Sequence, residues 1–558
     1  MTPSFSSLLV KGAFLLSASA PVFAIWPLPS NLELGSSTLK LDSNFSIQTS
    51  GLSSTPDDLQ AAIDRTTNYI ATDGLERLVV GRGSVDADSL SNASTLFSLV
   101  LQYTGTGDAK SITEESQVLV EERVETYSLT VPADGSSATI SANSTLGLFR
   151  GLTTFEQLWY THEDAIYTVS APVTIQDSPA YPYRGFMLDT SRNYFPVSDI
   201  KRTLDAMSWV KMTTFHWHVV DSQSFPLQID GYMELSETGA YDNSSVYTSS
   251  DVADIVSYAG ARGIDVIVEI DTPGHTSVIH LSHPEHIACP EFTPWATYAN
   301  EPPAGQLRIT SNETQQFTAG MLTAAASMFP SPYFSTGGDE INQNCYDWDN
   351  ETQSALNATG ATFEEMLSDF VVVNHQALEA VGKTPVVWEE MVLDHNVTLS
   401  NDTVVFVWIS SANALAIVQA GFKLVHAPSD YFYLDCGHGG WVGSYPAGAS
   451  WCDPFKTWQY AYTFDPTANM TSSEASLVLG GQQLLWTEQS GPGSLDSTVW
   501  PRAAASAELF WSGPGGNVTS ALPRLHELSF RMAQRGVETI PLQPLWCALR
   551  DYACDLTA

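Results

Sequence analysis

The feature that most constrains the fold of this chain is a strand-then-helix alternation that repeats eight times. Segments with helical periodicity, such as SDIKRTLDAMSWVKM and FEEMLSDFVVVNHQALEAVG, fill most of the gaps between apolar runs of strand length. Eight such units predict an α/β fold, a closed (β/α)8 barrel. The alternative, an open doubly wound sheet, is disfavoured because no glycine-rich phosphate loop follows the first run. The eight runs are GFMLD, TTFHWHVVD, IDVIVEID, YFSTGGDE, TPVVWEE, TVVFVWI, KLVHAPS and QQLLWTE.

A smaller unit precedes the predicted barrel. In residues 25–168, strand-like pieces (LERLVVG, TLFSLVLQY, ETYSLTV, SATISAN) are mixed with helical ones, which predicts an α+β domain. The proline-containing stretch that follows is interpreted as a linker over 169–183. The barrel then occupies 184–558, and the region between Ser429 and Gly480 holds no clear helix, so we expect a long loop near the active face.

The first 24 residues have the pattern of a secretory signal, with Lys11, an apolar run and the small-x-small ending Val22-Phe23-Ala24. A buried N-terminal helix is the alternative. Six cysteines, with no CxxC pair among them, fit disulfide bonds of an oxidising compartment, and spacing leaves fifteen pairings open. We therefore expect a secreted, extracellular glycoprotein with glycosylation motifs at Asn44, Asn92, Asn143, Asn243, Asn312, Asn350, Asn357, Asn396, Asn401, Asn469 and Asn517.

Charge and hydropathy exclude two classes of partner. The 23 basic and 62 acidic residues give a formal net charge of −39, so the phosphate backbone of a nucleic acid would be repelled. After the predicted signal, no apolar run reaches the ~20 residues that a membrane-spanning helix needs. Neither a nucleic acid nor a membrane is expected as a partner.

Polar and aromatic residues stand where the predicted barrel strands end. Strands buried on both faces should be apolar throughout, so these residues need a functional explanation. Carboxylates transfer protons and stabilise charge, and indole faces stack on the C–H faces of sugar rings. The pattern predicts a carbohydrate site at this mouth of the barrel, formed by Asp189, Asp221, Asp271, His275, Asp339, Glu340, Trp388, Glu389, Trp408, Trp486 and Glu488.

The sharpest single motif is STGGDEIN, in which two glycines precede the adjacent carboxylates Asp339 and Glu340. Neighbouring residues of a regular strand point to opposite faces, so both acids can reach one site only if the strand ends or bulges there. We predict that it ends there.

A metal site is the strongest alternative, because His216, His218 and Asp221 have the spacing of metal ligands. Such a site needs further histidines at later strand ends, where this chain has Trp388 and Trp408. We therefore interpret both histidines as hydrogen-bonded structural groups, and we expect neither a metal nor a cofactor.

With Arg184, Asp189 and the motifs HWHVVD, EIDTPGH, GGDE, VVWEE, YLDCG and LWTE in order, the chain resembles the family 20 glycoside hydrolases, the β-N-acetylhexosaminidases, and among them a secreted fungal form. The resemblance covers nearly the whole chain after residue 24. It implies an exo-acting enzyme that removes terminal N-acetylglucosamine, and N-acetylgalactosamine, from chitooligosaccharides or glycoconjugates. It further implies substrate-assisted catalysis through an oxazolinium intermediate, with retention of anomeric configuration.

The resemblance also implies a role for individual residues. Glu340 would act first as general acid and then as base, Asp339 would hold the acetamide N–H, and Tyr433 would orient the acetamide oxygen. The remaining contacts would come from an acetamide wall of Trp388, Trp408 and Trp486, from hydroxyl-binding Arg184, Asp435 and Glu488, and from Asp221 and His275 as a chain that positions Glu340. Arg184 fits poorly, because it opens the first strand instead of closing it.

The resemblance implies three disulfide bonds, Cys289–Cys345, Cys436–Cys452 and Cys547–Cys554. Asn193 and Ser222 depart from the residues common in the family, which puts contacts at the rim in doubt. Two alternatives remain, a carbohydrate-binding protein without turnover and an enzyme that releases disaccharides or transfers glycosyl groups. Related enzymes often form homodimers, but no interface can be recognised in this sequence.

Overall fold

The computed structural model describes residues 25–557, so the predicted signal peptide lies outside the described residues. The N-terminal part is built on a six-stranded mixed sheet in the order β1-β2-β4-β3-β6-β5, in which β1 also pairs with β6. Its strands are β1 (Asn31–Ser50), β2 (Ser94–Tyr103), β3 (Tyr127–Val131), β4 (Ala138–Ala142), β5 (Tyr160–His162) and β6 (Ala165–Asp177). Its helices are α1 (Asp57–Thr72), α2 (Ala87–Leu90), α3 (Ile112–Ser116) and α4 (Thr145–Phe155).

Helix α4 lies between the sheet and the barrel. The side chain of Ser144 caps its first turn by accepting the N–H of Gly147, and all eleven residues of the helix are buried. Its Arg150 reaches the backbone oxygen of Gly263 in the barrel at 3.0 Å. The helix thus joins the apolar core of the sheet to the amino-terminal floor of the barrel.

Two features of the N-terminal part differ from the sequence-based prediction. LERLVVG was expected to be a strand, but it is an irregular segment that leads into a 3₁₀ turn at Arg82–Asp86. Strand β1 was not predicted, since Ser and Asn are frequent in it and only Leu39 is fully buried. Its register is instead held by pairing with β2 and β6.

The segment 169–183, interpreted above as a linker, also differs. Strand β6 continues through it to Asp177, with strict alternation of buried and exposed residues from Ala171 onward. Pro172 is exposed on this strand, beside a register shift in the pairing with β1, where a missing N–H is tolerated. Pro172 therefore interrupts the ladder locally without ending the strand.

The barrel is confirmed, and each of the eight predicted runs overlaps one of its strands, although β7 and β16 begin before their runs. The parallel strands close in the order β12-β13-β14-β15-β16-β7-β8-β9. They are β7 (Tyr183–Asp189), β8 (Thr214–Val220), β9 (Asp265–Ile270), β12 (Tyr333–Ser335), β13 (Thr384–Trp388), β14 (Val404–Val407), β15 (Lys423–His426) and β16 (Val478–Leu485), with a small hairpin of β10 (Ile287–Ala288) and β11 (Gln306–Leu307) in the loop after β9.

Helices surround this barrel, and those after β13 and β15 are short. In chain order they are α5 (Val197–Trp209), α6 (Met233–Gly239), α7 (Ser249–Gly260), α8 (Asn312–Ala326), α9 (Gln343–Trp348), α10 (Asn350–Thr359), α11 (Phe363–Ala380), α12 (Glu390–Leu393), α13 (Ala414–Gln419), α14 (Trp458–Tyr462), α15 (Ser472–Ala475), α16 (Leu495–Val499), α17 (Arg502–Ser512), α18 (Val518–Gln534) and α19 (Leu545–Ala548). Among residues 25–557, no helix has the length and apolar character needed to cross a membrane.

Candidate active site

A cavity of about 420 Å³ opens at the carboxyl ends of the barrel strands. This is the face where (β/α)8 enzymes place their catalytic groups. Nine of the eleven predicted catalytic and substrate-binding residues line it: His275, Asp339, Glu340, Trp388, Trp408, Tyr433, Asp435, Trp486 and Glu488. The two that do not are Asp221 and Arg184.

The turn after β12 brings Asp339 and Glu340 to the same cavity. The strand ends at Ser335, and the next residues leave extended geometry, with φ of 63° at Gly337 and 100° at Gly338. Glu340 itself has a left-handed φ of 55°, which costs a non-glycine residue about 1–2 kcal/mol. The adjacent acids thus converge because the strand has ended, as the sequence predicts.

Asp339 lies beside a second buried carboxyl group, that of Asp271 at the end of β9. Oδ1 of Asp271 accepts the backbone N–H of Gly338 at 2.7 Å, which ties it to the catalytic turn. Burial, and then the charge of Asp271, raise the pKa of Asp339 well above its usual value, while burial raises the pKa of Asp271 to about 7. Two carboxyl groups this close share a proton more readily than they both ionise.

His275 connects Asp221 to Glu340, although Asp221 does not reach the cavity. Nδ1 of His275 lies 3.2 Å from Oδ1 of Asp221, and Nε2 lies 3.4 Å from Oε2 of Glu340. Burial disfavours the charged imidazolium, but the nearby carboxylates, Asp221 first and then Glu340 and Asp339, together outweigh burial and raise the pKa of His275 well above its usual value. A histidine held in this way presents a positive N–H edge to Glu340 and Asp339.

Four aromatic side chains form one wall of the cavity. The rings of Trp408 and Tyr433 are nearly parallel, with centroids 6.3 Å apart and an interplanar angle of 8°. Trp388 and Trp486 continue the wall, with centroids 6.3 Å apart. Such a surface suits a small apolar group or the C–H face of a sugar.

The assignment of Arg184 to the substrate is wrong. Arg184 is fully buried at the start of β7, where Nη2 lies 2.6 Å from Oε2 of Glu125 and Nε donates to the backbone oxygen of Lys211. Glu125 belongs to the N-terminal part and also binds Arg150 at 2.7 Å. Arg184 therefore lies at the opposite end of the barrel and links it to the smaller unit.

Arg192 is the arginine that lines the cavity, and it was not among the predicted site residues. Its guanidinium lies 2.8 Å from Asp221 and 2.6 Å from Glu301, and it packs 5.0 Å from the ring centre of Trp486. Its position was a usable signal, because it follows the end of β7 by three residues whereas Arg184 opens that strand. Glu301 lies in the loop between β10 and β11 and carried no comparable signal.

The polar end of the cavity is formed by Asp435 and Glu488. Burial raises the pKa of Asp435 to about 7 and that of Glu488 well above its usual value. Oδ1 of Asp435 is buried and has no hydrogen-bond partner, so it is free to bind a ligand hydroxyl. The predicted loop after β15 adds Trp441 and Trp451, which are 40% and 67% exposed at the mouth.

The two histidines of the metal alternative are engaged by carboxylates. His216 Nε2 lies 3.1 Å from Glu269, and His218 uses one ring nitrogen on Glu269 (2.6 Å) and the other on Asp221 (2.8 Å). Both ring nitrogens of His218 are thus occupied. Among residues 25–557, Asp271, His275 and Asp339 do bring three donor atoms within 4.8 Å, but His275 is already held between Asp221 and the catalytic acids.

All three implied disulfide bonds are present: Cys289–Cys345, Cys436–Cys452 and Cys547–Cys554. The second bond lies beside the cavity lining, since Cys436 follows Asp435 and Cys452 follows Trp451. Of the two departures noted above, Asn193 donates to the backbone oxygen of Thr487 at 2.6 Å, and Ser222 is buried beside Asp221. Neither lines the cavity.

A (β/α)8 barrel with paired acids, a histidine and an indole wall at its carboxyl-terminal mouth has the make-up of a carbohydrate-cleaving hydrolase. The model of the glycosyl hydrolase family 20 catalytic domain matches residues 181–514, and a beta-acetyl hexosaminidase-like domain model matches residues 25–158. The chain therefore belongs to glycosyl hydrolase family 20 and is a glycoside hydrolase of the β-N-acetylhexosaminidase class.

Individual relatives agree with this membership. A beta-hexosaminidase of Arthroderma benhamiae is 35% identical over 456 residues, which cover 77% of this chain and 74% of the relative. A chitooligosaccharidolytic beta-N-acetylglucosaminidase of Bombyx mori is 33% identical over 549 residues, covering 95% and 89%. Among solved structures, the chitobiase of Flavobacterium johnsoniae is similar with a TM-score of 0.73 at 26% identity, over 92% of this chain and 73% of that one.

Proposed function

We propose that the protein is an exo-acting, retaining β-N-acetylhexosaminidase that removes terminal N-acetylglucosamine, and N-acetylgalactosamine, from chitooligosaccharides or glycoconjugates. The observation that carries the proposal is the convergence of Asp339, Glu340 and Tyr433 on one aromatic-walled cavity. The wall can hold the methyl group of an acetamide while the polar groups hold its N–H and its oxygen. The names of the fungal and insect relatives support the same substrate class.

In the proposed reaction the substrate's acetamide oxygen attacks the anomeric carbon. The Tyr433 hydroxyl donates to that oxygen and orients it, and Glu340 protonates the departing glycosidic oxygen. The C1–O bond breaks as the new C1–O bond closes the oxazolinium ring. Water, deprotonated by Glu340, then opens the ring at the same carbon, so two displacements return the original anomeric configuration.

Asp339 would stabilise the cation that forms in this step. Positive charge developing on the acetamide nitrogen favours the ionised form of Asp339, which opposes the effect of burial on its pKa. Asp271 can keep the proton that the pair shares. Arg192, Asp435 and Glu488 would bind the outer hydroxyls of the terminal sugar, which makes the cleavage exo-acting.

We also propose that the protein is secreted and glycosylated, and that it is active without a metal. All eleven asparagines of the glycosylation motifs are exposed, as attachment of a glycan requires. We further propose that the protein forms a homodimer, and sedimentation would measure its oligomeric state.

The first test compares aryl β-glycosides that differ only at C2. The N-acetylglucosaminide should react on the order of 10³-fold faster than the glucoside, because the glucoside lacks the internal nucleophile. NMR of the first product should show the β-anomer. Equal rates, or a first product with the α-configuration, would refute the proposed function.

The second test separates the two acids. Glu340→Gln should abolish cleavage of alkyl glycosides, because their leaving groups need a proton. It should reduce the cleavage rate of aryl glycosides less, because their leaving groups are better. Asp339→Asn should lower kcat by about 10²-fold or more on both substrate types, because it removes charge stabilisation. Glu379→Gln, on the exposed face of α11, is the control and should match the wild type.

A further inference from the structure

The four residues from Trp388 to Met391 all serve the candidate site, although only Trp388 belongs to the predicted wall. They span the end of β13 and the first turn of α12. Trp388 lines the cavity, and a side chain placed at Gly338 would collide with Met391 beneath the catalytic turn. Between them lie two buried glutamates, Glu389 and Glu390, to which the proposed reaction gives no role.

Glu390 holds the ring of Trp408. Nε1 of Trp408 donates to Oε2 of Glu390 at 2.8 Å, and the glutamate is only 7% exposed. An indole has a single polar atom, so this bond fixes the rotation of the ring about its own side-chain bonds. The ring is thereby kept parallel to that of Tyr433.

Glu389 holds the backbone that follows Trp408. Its Oε1 accepts the N–H of Ile409 at 3.2 Å and the side-chain amide of Asn413 at 2.8 Å. One glutamate thus restrains the loop after β14, and its neighbour restrains the indole that the loop carries. The two restraints act on the same pocket wall from outside the cavity.

The environment of Glu390 suits a neutral acceptor. Burial, and then the charge of Asp339, raise the pKa of Glu390 to about 9. A neutral carboxyl group still accepts the indole N–H, and it adds no second negative charge next to Asp339. Glutamine at this position should therefore still accept the indole N–H, whereas leucine should not.

We propose that Glu390 is a positioning residue that determines acyl-group specificity: by binding the indole of Trp408 it fixes the wall against Tyr433 and sets the size of the N-acyl group that fits. This inference rests on the proposed function, because it assigns Trp408 to the acetamide wall. Glu390 touches no reacting atom. Its removal should loosen the wall without removing any group of the reaction.

The test measures kcat/KM for aryl glycosides with N-acetyl and N-propanoyl groups. Glu390→Leu should raise KM for the N-acetyl substrate about fivefold and lower the acetyl-to-propanoyl preference about tenfold, whereas Glu390→Gln should stay within about twofold of the wild type. Trp408→Phe, which lacks the N–H, should show the same loss of preference. Adding Glu390→Leu to Trp408→Phe should cause no further loss.

Glu527→Leu is the matched control, since Glu527 is also a buried glutamate with one aromatic partner, Tyr160, at 2.9 Å, but it lies away from the cavity. It should lower the melting temperature and leave the acyl preference unchanged. An unchanged acetyl-to-propanoyl preference in both Trp408→Phe and folded Glu390→Leu would overturn the inference. So would a double variant whose loss of preference is the full sum of the losses in the two single variants. If the wild type cleaved substrates without an acetamide group equally fast, the proposed function itself would be refuted.

Discussion

Arg184 and Arg192 lie at the two ends of the same barrel strand and have different partners. Arg184 opens β7 and binds Glu125 of the N-terminal part, whereas Arg192 follows the end of β7 and lines the cavity. Each guanidinium is buried and paired with carboxylates, so burial and charge alone do not distinguish them. What distinguishes the two arginines is the end of β7 at which each one lies.

Lysine substitutions at these two positions should therefore have different effects. Arg192→Lys should lower kcat/KM about 10- to 100-fold, because hydrogen bonds to a charged group are worth about 1.5–3 kcal/mol. Arg184→Lys should lower the free energy of unfolding by a similar amount and leave KM unchanged. Kinetics and urea unfolding of both variants check this, and a KM effect confined to Arg184→Lys would contradict it.

Much of the site could be predicted from the sequence, because residues at or just after the end of a buried parallel strand lie at the mouth of the barrel. Asp339, Glu340, Trp388 and Trp486 are found this way. Glu301 could not be, since it reaches the cavity from a long loop whose path depends on tertiary contacts. Glu390 was likewise missed, because it acts through Trp408 and does not itself line the cavity.

The elements that were predicted well are those with strong periodicity. The barrel strands are mainly apolar and the long helices α8 and α11 each bury one face, so local pattern and tertiary position agree. In the N-terminal part, half of the residues of the polar strand β1 are exposed, and β6 contains Pro172. Pairing with β6 holds β1 in its strand conformation, and no local pattern in β1 records that pairing.

The loop after β15 is an element whose shape depends on a covalent bond. The Cys436–Cys452 bond closes it, and each cysteine directly follows a cavity residue, Asp435 or Trp451. A loop of this length gains about 3 kcal/mol from closure in the chain-entropy model. The bond should therefore affect both stability and binding.

Replacing Cys436 and Cys452 by serine should raise KM for oligosaccharides several-fold, because Trp451 and Asp435 lose their fixed spacing. The paired control replaces Cys547 and Cys554, whose bond lies near the C-terminus and outside the cavity lining. That variant should lose stability without a change in KM. Michaelis–Menten kinetics with a trisaccharide would measure the difference, and equal KM values for the two variants would count against it.

At the scale of the whole molecule, buried ion pairs join the N-terminal part to the barrel and to the end of α18. Lys211 of the barrel binds Asp177 at 3.0 Å, and Arg535 just after α18 binds Asp73 and Glu156, both at 2.7 Å. The hydroxyl of Tyr160 donates to Glu527 of the same helix. The two parts are thus fastened by groups whose charge depends on pH.

Glu527 allows the pH dependence of this attachment between the N-terminal part and α18 to be measured. Burial raises its pKa to about 7, against an ordinary value of 4.5, so the folded state favours the protonated acid. Its contribution to stability is complete below pH 4.5 and is lost as the pH rises to about 7. Glu527→Gln keeps the bond to Tyr160 but does not titrate.

The melting temperature of Glu527→Gln relative to the wild type should therefore rise between pH 4.5 and pH 7 and stay level above that range. Calorimetry across this interval measures the difference. Glu379→Gln, at an exposed position, should show no such trend. A constant offset between Glu527→Gln and the wild type would mean that Glu527 does not titrate in this window.

The bond between Arg184 and Glu125 has a consequence for anyone who would engineer this enzyme. A barrel excised at residue 181 would carry Arg184 and Lys211 into water without their counter-charges, and it would uncover the floor on which α4 rests. The N-terminal part and the barrel must therefore be expressed, or recombined with other proteins, as a single unit.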